Sequence, residues 1–349
     1  ITNSGAITTT GARSPGINLS SHDEVMVTSN EMINAGTITV EGMMSSGIWV
    51  EGSENTIANG VDGVIAATGE GGNGVFFATL SGESNALHNA GSISATGLAV
   101  RGGDGDEVVL NSGTITGDVN LGAGDDSFVF ISGSSVDGMV DGADGEDTLT
   151  FTSLEGAPVQ SVDGSAFINF ETIDQSAGGS FDIFFSGEVG VDEINVSSGS
   201  DLNIDSGNLD GVALNVDAGS SLALGEMSVV ENTTIALSGD GAMLENVGTI
   251  QGDGTTVQGD AGAQTLVNMG QIAGNVDLGA GDDRYVEAAN GDAGSVNAGD
   301  GFDTLAFVDR DSSAGEGFEG FSGFEALEVS GDSSDCLLYT SPSPRDPSI

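Results

Sequence analysis

The sequence predicts an all-β chain that folds as a parallel β-helix (β-solenoid) with rungs of about 20–22 residues, where a rung is one full circuit of the chain. Residues 111–151 recur as residues 268–307, and at a constant offset of 157 their first 19 positions share 12 identities. Within the first copy, Val119, Gly124 and Phe130 reappear at a constant offset of 21 as Val140, Gly145 and Phe151. Short strands joined by tight turns and stacked at roughly 4.8 Å account for such a period.

A shorter phrase, Asn-x-Gly-x-Ile, supports the same fold. Asn and Gly tolerate the positive φ of a tight turn, and the Ile that follows alternates with Thr or Ser as in a half-buried strand. Two pairs of successive phrases share an offset of 22, which matches one rung. The phrase begins at Asn3, Asn34, Asn89, Asn111, Asn246 and Asn268.

Composition and repeats divide the chain into five segments, of which four belong to the solenoid. Residues 1–110 are irregular β-helix repeats, 111–173 form the first repeat unit, 174–267 are plainer solenoid rungs with apolar pairs at period two, and 268–335 form the second repeat unit. Each unit ends in Phe-x-x-Phe-Glu, beginning at Phe167 and at Phe321. Trp49, the only tryptophan, is assigned to the core or to an end cap.

The shared spacing also predicts which side chains stack inside the solenoid. In each copy an apolar residue recurs one rung after another, so both members should face the interior in register. The residues predicted to point inward are Phe128, Phe130, Leu149, Phe151, Tyr285 and Leu305.

The fifth segment, residues 336–349, differs from the rest of the chain. It holds the only Cys, three of the five Pro and one of the two Tyr. Residues 336–346 resemble a translated sequencing adaptor, so residues 336–349 are treated as an artefact and predicted to be disordered and dispensable. The remaining chain has no cysteine, and we expect its natural C-terminus to be missing.

Charge narrows the classes of partner. The chain has 54 acidic residues, five arginines and no lysine, for a formal charge of −49. Such a surface repels phosphate, which argues against nucleic acid and anionic membranes as partners. It also offers many oxygen ligands to hard cations.

The Gly-x-Gly-x-Asp turns are the best candidates for chemistry. They resemble the calcium-binding nonapeptide of RTX β-rolls, except that RTX repeats follow one another directly and these turns are separated by a whole rung. Stacked rungs would still place Asp126 near Asp147 and Asp283 near Asp303, and these four residues are the candidate calcium ligands. The alternative is a solvated acidic turn whose Asp accepts backbone N–H bonds, and the sequence alone favours it. No other cofactor is predicted.

Catalytic constellations are absent from the sequence. Ser20-Ser-His-Asp23 is interpreted as a polar loop, because adjacent residues rarely build a hydrogen-bonded relay. His88 is predicted to be exposed, and a zinc site is not expected, because residues 1–335 hold two His and no Cys. The Gly-rich segments lack the Lys and the following helix of a phosphate loop. The chain is therefore predicted not to be an enzyme.

The long repeat resembles the passenger domains of bacterial autotransporters, which use type V secretion. The resemblance rests on Asn-x-Gly-x-Ile-x-Gly-x-Val, Leu-Gly-Ala-Gly-Asp-Asp, Asp-Gly-x-Asp-Thr-Leu-x-Phe and Phe-x-x-Phe-Glu, and it is clearest over residues 111–173 and 268–327. It implies a right-handed parallel β-helix that is exported and displayed at the cell surface of a Gram-negative bacterium. It also implies that contact with the outer membrane is made only by a C-terminal barrel that this chain lacks.

Together these features favour a non-catalytic, cell-surface or secreted β-helix passenger or adhesin fragment. Its partner would be a host or environmental surface, recognised through a glycan or a protein ligand. One alternative is a calcium-binding, RTX-like secreted repeat protein. Another is a polysaccharide-acting β-helix enzyme, which the scarcity of Arg and the absence of a basic cluster argue against.

Overall fold

A computed structural model describes residues 1–20, 29–153, 157–176, 178–288, 290–309 and 320–330. In these residues the chain is a β-solenoid of about 13 rungs in which all paired strands are parallel, and strands make up 58% of the structure. The one helical element of this part of the chain is a 3₁₀ turn, Gly164–Ala166. The predicted all-β solenoid is confirmed. His22 and the predicted artefactual tail, residues 336–349, lie outside the described residues.

Three sheets form the walls of the N-terminal half, where successive rungs contribute strands to each of them. Sheet 1 continues along the whole solenoid, and sheets 2 and 3 belong to the N-terminal half. Sheet 2 consists of Ala6–Thr9, Thr37–Val40, Val64–Ala67, Ser92–Ala95, Thr114–Thr116 and Ser135–Asp137. Sheet 3 consists of Ile17–Leu19, Ser46–Glu51, Asn73–Ala78, Val100–Arg101, Val119–Asn120, Val140–Asp141 and Phe167–Ile168.

Sheet 1 has 24 strands. In the N-terminal half it consists of Thr2–Asn3, Glu31–Asn34, Asn55–Asn59, Ser84–Asn89, Asp106–Asn111, Ser127–Ile131, Thr148–Thr152 and Gln160–Asp163. It continues with Thr172–Gln175, Ser180–Glu188, Glu193–Val196, Asp201–Asp210, Ala213–Val216, Ser221–Glu231, Ile235–Leu237 and Met243–Asn246. It ends with Thr249–Gln258, Thr265–Asn268, Gln271–Asp277, Arg284–Ala288, Asp292–Asn297, Thr304–Val308, Phe321–Ser322 and Ala326–Ser330.

In the C-terminal half, fewer and longer strands close each rung. Asp201–Asp210 pairs with Ser221–Glu231 through a register shift between Ile204 and Ser206, so that one continuous strand covers two walls. A bulge of this kind bends a strand and lets the ladder continue on both sides of the bend.

The core is a set of stacked columns of apolar side chains. Phe128 pairs with Leu149, Phe130 with Phe151, and Tyr285 with Leu305, as the spacing predicted. All six side chains are buried, which confirms the predicted register. In the N-terminal half, the Ile of the Asn-x-Gly-x-Ile phrase belongs to a second column, in sheet 2, where an Ile outside the phrase also stacks. The fully buried members of this column are Ile38, Ile65, Ile93 and Ile115. The Ile residues of the last two phrases, Ile250 and Ile272, pair with each other in sheet 1.

Rung length departs from the predicted period at the N-terminal end. Equivalent positions Asn3, Asn34, Asn59 and Asn89 are separated by 31, 25 and 30 residues. Further along the chain, most equivalent positions are separated by 19 to 24 residues, as from Glu107 to Asp126 and from Asp147 to Glu171. Two longer separations are the 27 residues from Val140 to Phe167 and the 25 residues from Val296 to Phe321. The stack requires only that core positions align, so surface connections can lengthen without disturbing it.

Trp49 does not belong to the core. It lies between Ile48 and Val50, which are fully buried, and alternation along the strand turns its side chain to the outside of sheet 3. The prediction that Trp49 fills the core or caps an end was therefore wrong.

Candidate metal centre

The predicted Asp residues of the first repeat unit form a ladder that climbs from rung to rung. The backbone N–H of Glu107 donates to Oδ1 of Asp126 at 2.6 Å. The N–H of Asp126 donates to Oδ1 of Asp147 at 2.7 Å, and the N–H of Asp147 donates to Oε2 of Glu171 at 2.6 Å. Each accepting carboxylate thus binds the backbone of the rung before it. These four residues are the first carboxylate ladder.

The second repeat unit builds the same ladder again. The N–H of Gln264 donates to Oδ1 of Asp283 at 2.7 Å, and the N–H of Asp283 donates to Oδ1 of Asp303 at 2.8 Å. The N–H of Asp303 donates to Oε2 of Glu325 at 2.9 Å. These four residues are the second carboxylate ladder. The prediction that stacked rungs bring Asp126 next to Asp147, and Asp283 next to Asp303, is confirmed.

Glycine makes this stacking possible at the turns that precede the aspartates. Gly124 and Gly145 adopt φ of 125° and 153°, values that other residues rarely adopt. A Cβ on Gly145 would lie 1.8 Å from the carbonyl oxygen of Gly124 on the preceding rung. The Gly-rich turns of the two rungs pair directly through a bridge between Ala123 and Asp144. A side chain at Gly145 would therefore force the stacked turns apart.

The ladder aspartates are buried, whereas the acidic-turn alternative placed them in solvent. Asp126, Asp147, Asp283 and Asp303 are exposed by 2% or less. One oxygen of each accepts a backbone N–H, as that alternative predicted. The other oxygen, Oδ2 in all four, is buried and has no hydrogen-bond partner among the described residues. A buried acceptor without a donor is costly and calls for a proton or a cation beside it.

Burial also changes how these groups titrate. Loss of solvent raises the pKa of Asp126 to about 7 and the pKa values of Asp147 and Asp283 to about 6. Burial raises the pKa of Asp303 in the same direction. It raises the pKa of Glu107 to about 8. In each case the neighbouring ladder carboxylate adds to the rise, because like charges disfavour ionisation.

Sequence reasoning missed the ends of both ladders. Glu171 and Glu325 are the Glu of the two Phe-x-x-Phe-Glu segments, and the repetition of this motif did not reveal that its Glu ends the ladder. Glu107 and Gln264 are also separated by 157 residues, but they lie just before the repeated segments 111–151 and 268–307. The same offset, applied to the residues before these segments, pairs them. Within the described residues, no group of three or more His, Cys, Asp or Glu side chains is close enough to enclose a metal ion by itself.

A second kind of ladder, built of asparagine, lies inside the N-terminal rungs. The side-chain amide Nδ2 of each residue donates to Oδ1 of the next, at 2.8 to 2.9 Å. All members are buried, and each Asn that opens an Asn-x-Gly-x-Ile phrase in this region takes part. This asparagine ladder consists of Asn3, Asn34, Asn59, Asn89 and Asn111.

The outside of sheet 3 carries a row of side chains that includes the only tryptophan. Trp49 and Phe76 meet edge to face with centroids 4.5 Å apart, and the guanidinium of Arg101 lies 4.5 Å from the centroid of Phe76. Strand pairing extends this outer row in both directions along the solenoid axis. Its members, in order, are Asn18, Trp49, Phe76, Arg101, Asn120 and Asp141.

His88 is exposed, as predicted. No helix in the described ranges is both long enough and apolar enough to cross a membrane.

Comparison with protein-family models, with curated protein sequences and with solved structures finds no match. The class of protein is accordingly defined by its fold, a parallel β-solenoid with two carboxylate ladders.

Proposed function

We propose that this chain is a non-catalytic β-helix passenger or adhesin fragment of a bacterial autotransporter, displayed at the cell surface and used to bind other surfaces. The solenoid of about 13 rungs is compatible with that class, and the motifs of the two repeat units support it. The observation that carries the binding role is the outer row on sheet 3.

The chemistry of the outer row favours a glycan ligand. Trp49 and Phe76 offer partly exposed aromatic rings to the C–H faces of sugars, and Asn18 and Arg101 are exposed and offer donors to hydroxyl groups. In the described part of the chain, Arg101 forms no ion pair, although acidic residues are abundant. Its donors therefore remain available to a ligand. Strand spacing of about 4.8 Å sets these side chains at intervals close to the length of one sugar unit.

A glycan array probed with the purified chain tests this role. We expect binding to a subset of glycans that is lost in Trp49→Ala and weakened in Arg101→Ala. Phe302→Ala is the matched control, because Phe302 is an aromatic side chain that is 62% exposed and lies outside the row. Binding only to matrix proteins, or glycan binding that survives Trp49→Ala, would refute a glycan-binding row.

Export and the absence of catalysis are tested separately. A membrane-anchoring domain encoded downstream of residue 335 in the source gene would support the autotransporter route, and a soluble enzyme domain there would argue against it. The proposal also predicts no turnover of esters, peptides or glycosides. Hydrolysis that is abolished by His22→Ala would overturn it.

A further inference from the structure

We propose that the carboxylate ladders bind divalent cations, with calcium preferred, along the row formed by the second carboxylate oxygens. The observation is the set of four Oδ2 atoms, on side chains exposed by 2% or less, that lack a hydrogen-bond partner among the described residues. Because Oδ1 of each residue is already held by a backbone N–H, the direction of Oδ2 is fixed. This site does not depend on the glycan-binding row.

The spacing of the ladder suits calcium. Successive parallel strands lie roughly 4.7–4.9 Å apart. Calcium binds oxygen at about 2.3–2.6 Å, so two bonds end to end span about 4.6–5.2 Å. An ion midway between the Oδ2 atoms of successive rungs would therefore reach both. Magnesium needs bonds near about 2.0–2.1 Å in an octahedron and fits this spacing less well.

Close packing at Gly142 brings a further oxygen near the carboxylate. A Cβ on Gly142 would lie 2.1 Å from the carbonyl oxygen of Asn169 and 2.6 Å from Oδ2 of Asp147, so both oxygens border the same small space. The backbone of the Gly-rich turn borders that space and can supply carbonyl oxygens, which calcium accepts readily. Two carboxylates with carbonyls and water complete a coordination shell without a third acidic side chain.

The electrostatic environment also favours a cation. The chain has no Lys, and the one ion pair formed within the described residues joins Arg284 to Glu328, whose side chains are 39% and 58% exposed. No cationic side chain in the described structure therefore neutralises the ladder charge. A divalent cation shared by two rungs would do so and would bind only the folded chain, because the ladder exists only when rungs stack.

The two copies differ in a way that makes the proposal specific. The first ladder begins with Glu107, whereas the second has the neutral Gln264 at the corresponding position. The first ladder therefore has one more carboxylate and should bind calcium more tightly. Glu107→Gln should lower the affinity of the first ladder toward that of the second, and Gln264→Glu should do the reverse.

Thermal melting of the chelator-treated protein provides the first test. We expect the melting temperature to rise with calcium at about 10⁻⁴–10⁻³ M, the range of weak extracellular sites. Magnesium, and sodium at matched ionic strength, should give a smaller rise. The calcium-specific part should shrink in Asp126→Asn/Asp147→Asn, which leaves the second ladder intact, and should be lost when Asp283→Asn/Asp303→Asn is added. It should be retained in Asp62→Asn/Asp137→Asn, which removes charge from exposed positions. Equal rises with all three salts, or an unchanged response in the ladder variant, would overturn the proposal.

Terbium luminescence provides a readout that does not depend on stability. Tyr285 follows Asp283 closely on the same rung, so terbium held by the second ladder should emit when tyrosine is excited. Calcium should displace it, and Asp283→Asn should abolish the signal while circular dichroism stays unchanged. If that variant does not fold, Gln264→Glu replaces it and should raise terbium affinity. Emission that calcium cannot displace, or that ignores both substitutions, would refute binding at the ladder.

Discussion

Replacing Asn59 by Asp tests the asparagine ladder with almost no change of shape. Asn59 is 1% exposed, and its Oδ1 accepts from Nδ2 of Asn34 at 2.8 Å. Its Nδ2 donates to Oδ1 of Asn89 at 2.8 Å. The same Nδ2 also donates to the carbonyl oxygens of Gly63 and Ser92, at 3.2 and 3.3 Å. In the Asp variant an oxygen replaces that nitrogen and faces three other acceptors.

The expected cost depends on pH. An ionised carboxylate at this position would be a buried charge without a partner, a change that typically costs about 3–5 kcal/mol. A protonated carboxyl can donate its one O–H to Asn89 and loses only the longer bonds, which are worth about 1 kcal/mol each. Burial raises the pKa of the new carboxyl above its ordinary value of about 3.9. The folded variant therefore retains most of its stability at low pH and loses it as pH rises through that raised pKa.

The single tryptophan makes the assay local. Trp49 lies in the strand just before the one that contains Asn59, so its emission in a urea titration reports on the rungs that the substitution perturbs. Local unfolding is expected because each rung contacts only its neighbours. The exposed residue Asn18, which lies beside Trp49 on the preceding rung, is changed to Asp as the control. If Asn59→Asp and Asn18→Asp gave equal losses of stability, or if the loss in Asn59→Asp did not depend on pH, the asparagine ladder would not contribute the stability expected of it.

Three further predictions concern the core, the turns and the first carboxylate ladder. Phe128→Asp should cost several kcal/mol because it buries an unpaired charge, whereas the same change at exposed Phe302 should leave thermal unfolding unchanged; equal melts would contradict the inward register. Gly145→Ala should lower the melting temperature sharply, because its Cβ would lie 1.8 Å from a carbonyl oxygen, whereas Gly187→Ala, with open space around it, should be tolerated. In metal-free buffer, stability should fall as pH rises from about 4.5 to about 8, because folded Glu107 holds a proton that the unfolded chain releases. Glu107→Gln should flatten this dependence of stability on pH, and an unchanged dependence would show that Glu107 does not cause it.

The solenoid and its register could be predicted from the sequence because both follow from spacing. Once Phe130 and Phe151 occupy one column, the distance between them is the rung length, and other residues at the same spacing must also stack. The same argument brought Asp126 next to Asp147. It was not applied to the first rungs, although the spacing of 31 residues between the phrases at Asn3 and Asn34 is the length of one rung. The predicted period came only from the more regular repeat units.

Side-chain direction was harder to predict than register. Asn before Gly indicates a tight turn, and nothing in the phrase shows that its amide points inward to the next Asn. Trp49 was assigned to the core or to an end cap, although the apolar residues Ile48 and Val50 on either side already implied that Trp49 faces the opposite way. Burial of the ladder carboxylates could not be predicted, because a solvated and a buried Asp turn share one sequence pattern.

The hydrogen bonds between rungs run along the axis of the solenoid, and this direction determines how the protein would respond to tension. A force applied at the two ends opens one ladder at a time, because it pulls each bond along its length and does not shear a whole sheet at once. A detached rung of about 20 residues extends to about 70 Å at most, compared with the roughly 4.8 Å that it occupies in the stack. The chain can therefore lengthen many-fold in steps, one rung at a time. A surface tethered through it would move away gradually under flow while the attachment itself stays bound.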